Sequence, residues 1–307
     1  MNPVARLGGI GIWWRAVRAY SFPASVVPVL VGAALALESG NALWGLLPVV
    51  LLCSVLFQAG TNAINDYFDF VRGVDKDDPH SGSSGVLTKG LLRPSAVFVY
   101  GVALFGAGTL LGLILLYYSG LPMLFIGVAG LLGGYLYTGG PEGYKYLALG
   151  DVLVFVLMGP LSVVGTYFAL TGEVSFVVLL ASLPVGSLVA AIMAINNHRD
   201  AASDRGAGVK TLSNVIDFRA SRVENLILPV SAYLFVALAV LFGLLSVWTL
   251  LVFLSLPLAL RNLKDIWISG EESVSELTYL VVRTAQLHLL FGVLLSVGIA
   301  VGTLLGS

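Results

Sequence analysis

Three observations predict that this sequence is an all-α membrane protein of nine transmembrane helices. The 307 residues are 58% hydrophobic and 11% charged, against about a quarter charged in an ordinary soluble domain, and mean hydropathy is +0.95. Apolar runs close to the ~20 residues that a bilayer core demands recur along the whole chain. The lysines and arginines gather at the N-terminus and between alternate runs only.

The runs predict spans at 21–38, 43–64, 96–118, 121–138, 149–170, 174–196, 225–243, 246–263 and 284–305. The first follows Arg6, Arg15 and Arg18, and no small-residue cleavage site closes "YSFPASVVPVLVGAALAL", so it reads as a retained helix rather than a signal peptide. The second holds Cys53, the one cysteine of the chain, which excludes an internal disulfide and reads as a buried structural thiol. "YYSGLP" divides the third and fourth spans, and "LTGEVS" the fifth and sixth. Residues 225–260 carry no charge, and their length fits two spans turning near "FGLLS". The ninth run closes a single polytopic domain over residues 1–307.

Charge sets the expected orientation. All sixteen Lys and Arg fall at the N-terminus or around the loops after spans two, four, six and eight, while the other loops carry only Glu38 and Glu173. By the positive-inside rule the protein is a multi-pass cell-membrane protein with a cytoplasmic N-terminus and an external C-terminus. A net charge of −1 gives no reason to expect nucleic acid. Both long loops, 65–94 and 197–224, then lie on the cytoplasmic face. They match at an offset of 131: "AINDYFD" (63–69) lies over "AINNHRD" (194–200), pairing Asn65 with Asn196 and Asp69 with Asp200. This points to two pseudo-symmetric halves that each deliver carboxylates to one site.

A helix continuing through residue 69 would put Asn65 and Asp69 on one face, and Asp200 and Asp204 share that four-residue spacing. Hard oxygen ligands without a Cys or His cluster suit Mg²⁺, which keeps waters and binds substrate phosphates. Asp66, one step round the helix, stands beside these ligands or pairs with Arg72, and Asp75 falls in the loop. Solvated helix ends are the plain alternative for one such pair. Carboxylates at a membrane edge that recur in parallel favour function. Arg72, Lys76, Lys89, Lys145, Arg199, Arg205 and Lys210 lie in the same loops, and Mg²⁺ with several cations is how proteins neutralise a diphosphate. Lys76, Arg205, Arg219 and Arg222 read as ordinary positive-inside charge; Arg72, Lys145 and Lys210 sit within motifs.

"NDYFDFVRGVD" and "NNHRDAASDRGAGVKTL" resemble the two aspartate-rich motifs of the UbiA superfamily of intramembrane aromatic prenyltransferases. "YTGGPEGYKYLALGDVLVFVLMGP" (137–160) and "WWRAVRAYSFPASVVPVLVG" are similar to its menaquinone branch, the 1,4-dihydroxy-2-naphthoate polyprenyltransferases. The resemblance covers most of the first 215 residues; the last three spans offer only hydrophobicity. It implies nine helices around a central cavity, with cap loops over the cytoplasmic mouth. It further implies Mg²⁺ held on a diphosphate by Asn65, Asp69, Asp200 and Asp204. Arg72, Lys145 and Lys210 would contact the diphosphate oxygens, with Tyr137 and Tyr144 near the leaving group and Asn62, Asp66, Lys89 and Arg199 among the groups that bind substrate. Asp69, Asp200, Arg72 and Lys145 are the expected catalytic residues. Val209 departs from the family pattern, in which many members have a second lysine after the glycine. His198 reads as a helix-end polar residue, His80 as a loop residue and His288 as a packing histidine.

The chemistry follows from the residues too. A prenyl diphosphate has an apolar tail that wants apolar walls and an anionic head that wants the membrane edge. Metal and cations stabilise departing diphosphate, aromatic faces stabilise the allylic cation, and an electron-rich ring attacks it. The expected reaction is polyprenyl transfer to 1,4-dihydroxy-2-naphthoate, the partners being the two substrates and the lipid bilayer. Another aromatic or lipid acceptor, or a membrane terpene cyclase without one, are the nearest alternatives. A secondary transporter would share the pseudo-repeats, but here the charges cluster on one face. The D-G-x-x-A-R element of CDP-alcohol phosphotransferases is absent.

Overall fold

The structure, a computed structural model, describes residues 9–75, 82–270 and 274–306. Arg6, Lys76 and His80 lie outside the described residues. Within them the chain is helical, and its one extended contact is an isolated parallel bridge between Leu147 and Lys210.

A short helix, α1 (Gly9–Ala16), leads into the bundle. The chain turns at Arg18, whose φ of 50° is left-handed, and passes a 3₁₀ turn into α2 (Pro23–Ala36). Proline at the helix start fits there because that N–H has no intrahelical acceptor. α2 is buried on most of its surface and lies against α12 (Val274–Leu305), α7 (Ser162–Thr171) and α3 (Leu47–Val71). Val27, Val31, Leu170, Leu188, Phe291 and Leu295 belong to the core built around it.

Several predicted boundaries move, and the helices that border the two motif loops lengthen into them. α3 runs seven residues past the predicted end at 64, so Asn62, Asn65, Asp66 and Asp69 ride on unbroken helix. α8 (Phe176–Gly206) runs ten past 196 and carries Asn196, Arg199, Asp200 and Asp204 in the same way. α10 (Phe218–Leu241) starts seven residues early because Asp217 caps it, accepting from Ala220 N at 2.7 Å. Between them, α9 (Leu212–Val215) is opened by a Thr211–Asn214 capping box. α12 starts ten residues before the predicted 284, so Arg283 lies inside a helix and pairs with Asp265 of α11 (Leu256–Ile268).

Among the described residues, eight helical segments are long and apolar enough to cross a bilayer. The predicted fourth span forms α5 (Leu121–Leu136), a helix of only 16 residues after α4 (Pro94–Ser119). At 1.5 Å per residue it measures about 24 Å, short of a ~30 Å hydrocarbon core. The fifth span is continuous but irregular: α6 (Gly150–Val156), a π turn at Leu157–Leu161, then α7. Pro160 inside the π turn supplies the reason, since it can donate no hydrogen bond and its ring displaces the preceding carbonyl.

That π turn crosses α8 at two glycines. A Cβ on Gly159 would stand 2.6 Å from Gly186 Cα, and one on Gly186 would stand 2.8 Å from Phe155 O. Both obstacles are backbone and cannot swing aside. Gly159→Ala and Gly186→Ala should each destabilise the fold by about 1–3 kcal/mol, the usual cost of overpacking. Thermal unfolding in detergent should show a lower midpoint for both. Gly106→Ala, which meets open space on α4, should leave the midpoint unchanged or raise it; equal losses for all three would refute the crossing.

Candidate active site

Helices α2, α3, α5–α8 and α12 surround one cavity of about 670 Å³. Its mouth is polar, with Arg18, Asn65, Asp69, Lys145, Asp200 and Asp204 in the wall. Its depth is apolar, reaching Val29, Val50, Leu115 and Met123. Asp69 and Val50 are nineteen residues apart on α3, so the cavity follows the helix for roughly 28 Å. Such a shaft nearly matches the hydrocarbon thickness.

Asp69 is held at the mouth by three other side chains. It is 1% exposed; Oδ2 accepts from Asn65 Nδ2 at 2.7 Å and Lys145 Nζ at 2.6 Å, and Oδ1 accepts from the Tyr146 hydroxyl at 2.5 Å. Burial alone would lower the Lys145 pKa, but the Asp69 carboxylate more than reverses this and holds the ammonium well above the usual lysine range. Burial pushes the Tyr137 phenol up to about 12. Tyr137 and Tyr144 meet edge to face in the cavity wall at 5.4 Å, with the Tyr144 hydroxyl donating to Gly133 O at 2.7 Å.

Across the mouth, α8 supplies the other half. Asp200 accepts from Arg199 through Nε at 2.7 Å and Nη2 at 2.6 Å, and that Nη2 also donates to Asn196 Oδ1 at 2.6 Å. Asp204, one turn on, lines the same wall. The cavity therefore brings together Asn62, Asn65, Asp69, Tyr137, Tyr144, Lys145, Arg199, Asp200 and Asp204. Asn62 is already engaged there, donating to Val17 O at 2.8 Å and Ser21 Oγ at 2.9 Å.

Four expected contacts are placed differently. Arg72 does not line the cavity; it donates to Thr138 O and Gly140 O, each at 2.6 Å, and stacks over the Tyr146 ring. The carbonyls of the turn after α5 need donors, and the guanidinium fork matches them. Asp66 pairs with Arg18 and accepts from the Ser84 hydroxyl, not with Arg72. Lys89 and Lys210 are exposed and off the cavity wall, Lys210 contributing its carbonyl to Ala148 N at 2.7 Å. Cys53, expected as a buried thiol, is half-buried in the cavity wall with Sγ 3.2 Å from Gly108 O.

The histidines keep to packing: His198 stacks on Phe218 at 4.3 Å and meets Ser221 Oγ at 2.8 Å, and His288 is fully enclosed in α12. Arg205 and Arg219 are exposed. Reading the motifs one by one overlooked Arg18, Tyr146 and Asn196. The 131-residue offset contains the signal for Asn196, as the partner of Asn65. Arg18 carries no local signal, since its partner is 48 positions away.

The donor set suits Mg²⁺. Carboxylate and amide side chains line the mouth from both helices, and among the described residues no imidazole joins them; the sulfurs in the cavity wall are those of Cys53 and of three thioethers, Met123, Met158 and Met193. No three His, Cys, Asp or Glu side chains among the described residues form a ready-made cage. Mg²⁺ needs none, because it usually takes one or two carboxylates and completes its shell with water and substrate phosphate.

The bacterial relative named 1,4-dihydroxy-2-naphthoate octaprenyltransferase, from Bacillus subtilis (strain 168), is 31% identical over 290 residues, 94% of this chain and 92% of its own. The UbiA prenyltransferase domain-containing protein 1 homolog of Drosophila melanogaster is 35% identical over 286 residues, 91% of this chain and 76% of its own. The structure of a UbiA homolog from Archaeoglobus fulgidus bound to GPP and Mg²⁺ superposes with a TM-score of 0.61 at 18% identity, covering 93% of this chain and 99% of that one. The profile of the UbiA prenyltransferase family matches residues 25–278, and with it the chain belongs to that family as a membrane-embedded prenyltransferase.

Proposed function

We propose that the protein transfers a polyprenyl group from polyprenyl diphosphate to 1,4-dihydroxy-2-naphthoate in a Mg²⁺-dependent reaction. The observation that carries this reading is the single cavity joining a mouth of carboxylates and cations to a deep apolar shaft. That is the shape of an anionic head on a long hydrocarbon tail. The Bacillus subtilis relative bears the name of the same reaction.

In this reading Asn65, Asp69, Asp200 and Asp204 hold Mg²⁺, which when bound neutralises charge building on the departing diphosphate. Lys145 and Arg199 face the remaining phosphate oxygens, each exchanging its present carboxylate partner for the substrate. The allylic C–O bond breaks with its electrons going to diphosphate, and the faces of Tyr137 and Tyr144 flank the cation left behind. Ser21, Ser25 and Gln58 line the cavity below Asn62 and offer hydrogen bonds to an acceptor bearing hydroxyl and carboxylate groups. The ring carbon that carries the carboxylate attacks the cation, and loss of CO₂ returns the bonding electrons and restores aromaticity without a strong protein base. Arg72 and Asp66 serve by holding the mouth in place.

The bilayer arrangement belongs to the same reading: nine spans counting α5, with the N-terminus and the motif-bearing mouth in the cytoplasm. In a Cys53→Ala background, a cysteine at Ala207 should resist an impermeant thiol reagent on intact cells, and one at Ser119 should react. The reverse pattern would overturn the orientation.

Asp69→Ala and Asp200→Ala should insert and purify normally yet lose on the order of a thousandfold in rate. Undiminished turnover in EDTA, or in either variant, would remove the metal assignment. With carboxyl-labelled naphthoate, labelled CO₂ should appear in step with prenylated product. Product from 4-hydroxybenzoate instead, or a cyclised hydrocarbon formed without acceptor, would reject the acceptor and leave the family's chemistry standing.

A further inference from the structure

The segment from Thr138 to Asp151 leaves α5, crosses the mouth and enters α6, and along the way it is fastened to both aspartate motifs. Its start is clipped by Arg72 of the first motif through Thr138 O and Gly140 O. Its middle supplies Lys145 and Tyr146 to Asp69. Next, Ala148, in the left-handed region at φ 58°, donates its N–H to Lys210 O at 2.7 Å, within the second motif. Its end is Asp151, both of whose oxygens accept from Asn197 Nδ2, at 3.0 and 3.1 Å.

The last of these contacts has no part in the chemistry above. Asp151 and Asn197 are each 4% exposed, and neither lines the cavity. A carboxylate buried against a neutral amide is a costly way to join two helices, since an apolar pair would do so without the desolvation penalty. What the pair does supply is direction. Asn197 adjoins Asn196 and precedes Asp200 by three residues on the same helix, so fixing Asn197 fixes the angle at which those two oxygens face the cavity. Asp151 lies six residues after Lys145, so the same bond fixes how far Asp69 stands from them.

We infer that Asp151 is a positioning residue: through Asn197 it locks the crossing segment to α8 and sets the separation of the two carboxylate sets that hold the metal. This rests on the metal-dependent reading of the site and deepens it. Asp151→Asn, Asn197→Asp and the exchanged pair Asp151→Asn/Asn197→Asp provide the test. The exchanged pair restores one carboxylate and one amide with donor and acceptor reversed. Mn²⁺, standing in for Mg²⁺, is titrated by electron paramagnetic resonance into purified protein carrying prenyl diphosphate and no acceptor, and thermal unfolding is followed in parallel. Each single variant should bind Mn²⁺ at least about tenfold more weakly, the usual scale for loss of a group that orients metal ligands. In turnover, kcat should fall more than the KM for prenyl diphosphate rises. The exchanged pair should recover Mn²⁺ binding to within about threefold of the parent, the residue of imperfect additivity between touching side chains.

Parent-like Mn²⁺ binding by Asp151→Asn would overturn the inference. So would an exchanged pair that unfolds at the parent's temperature yet still binds Mn²⁺ weakly. Because no acceptor is present, a wrong acceptor leaves the test intact. A parent protein that binds no Mn²⁺ on prenyl diphosphate rejects the metal reading and this inference together.

Discussion

The contact between Asp69 and Lys145 is the one on which the site is built. Both charges are largely buried, the Asp69 side chain 2% and the Lys145 side chain 16% exposed, and an unpaired ion there is expensive to keep. Asp69 reaches that position because α3 stays helical past the predicted end of its span. Lys145 reaches it because the chain between α5 and α6 folds back over the mouth. Pairing them, with Asn65 and Tyr146 on the remaining lone pairs, makes the burial tolerable. It also stores a cation and an anion side by side, so an arriving metal and diphosphate would each find a partner already desolvated and aimed. The same economy explains Arg199 and Asp200 across the cavity.

Below that charged rim the helices solve a different problem, which is to keep a shaft open without unsatisfied backbone. The irregular span from α6 through α7 is the clearest case. Its π turn frees backbone from the regular ladder, yet it is pressed against α8 at Gly159 and Gly186, where close contact excludes lipid. Leu157, Met158 and Leu161 of that turn line the cavity, so the irregularity lies where the wall must bend around a tail. The outward faces carry apolar side chains such as Val99, Val102, Leu110 and Leu113 of α4. Apolar surface both inside and outside the bundle is why α4 and α5 are apolar all round, with no face marked as inner by their sequence.

The sequence was informative where its signals were local. Run lengths located the spans, and the four-residue spacings put Asn65 with Asp69 and Asp200 with Asp204 on the cavity wall. It was less informative wherever a side chain's partner is distant in the chain. Arg72 looks like a phosphate ligand beside Asp69, but the competing carbonyls of Thr138 and Gly140 are more than sixty positions away. Asp66 looked available to Arg72, while its true partner, Arg18, precedes the first span. Lys210 sits in a lysine-bearing motif, yet it is the backbone of that residue, not the ammonium, that makes the ordered contact. Helix ends failed for a further reason: polar motif residues read as loop, whereas the caps at Asp217 and Thr211 show the helices regulating their own termini.

The two motifs, matched over 63–69 and 194–200, are not alike in electrostatics. Asp69 takes its cation from a remote segment, whereas Asp200 takes Arg199 from the adjacent position on its own helix. Asp69 is almost fully enclosed, while the Asp200 side chain keeps about a quarter of its surface, 26%, open. A movement of the Lys145 segment would separate Lys145 from Asp69, whereas Arg199 stays beside Asp200 on one helix wherever that segment sits. The surroundings of the first motif therefore depend on how the crossing segment sits, while those of the second are set within its own helix. The offset of 131 pairs Asp69 with Asp200; the segment carrying Lys145, which the offset does not duplicate, makes their surroundings unequal.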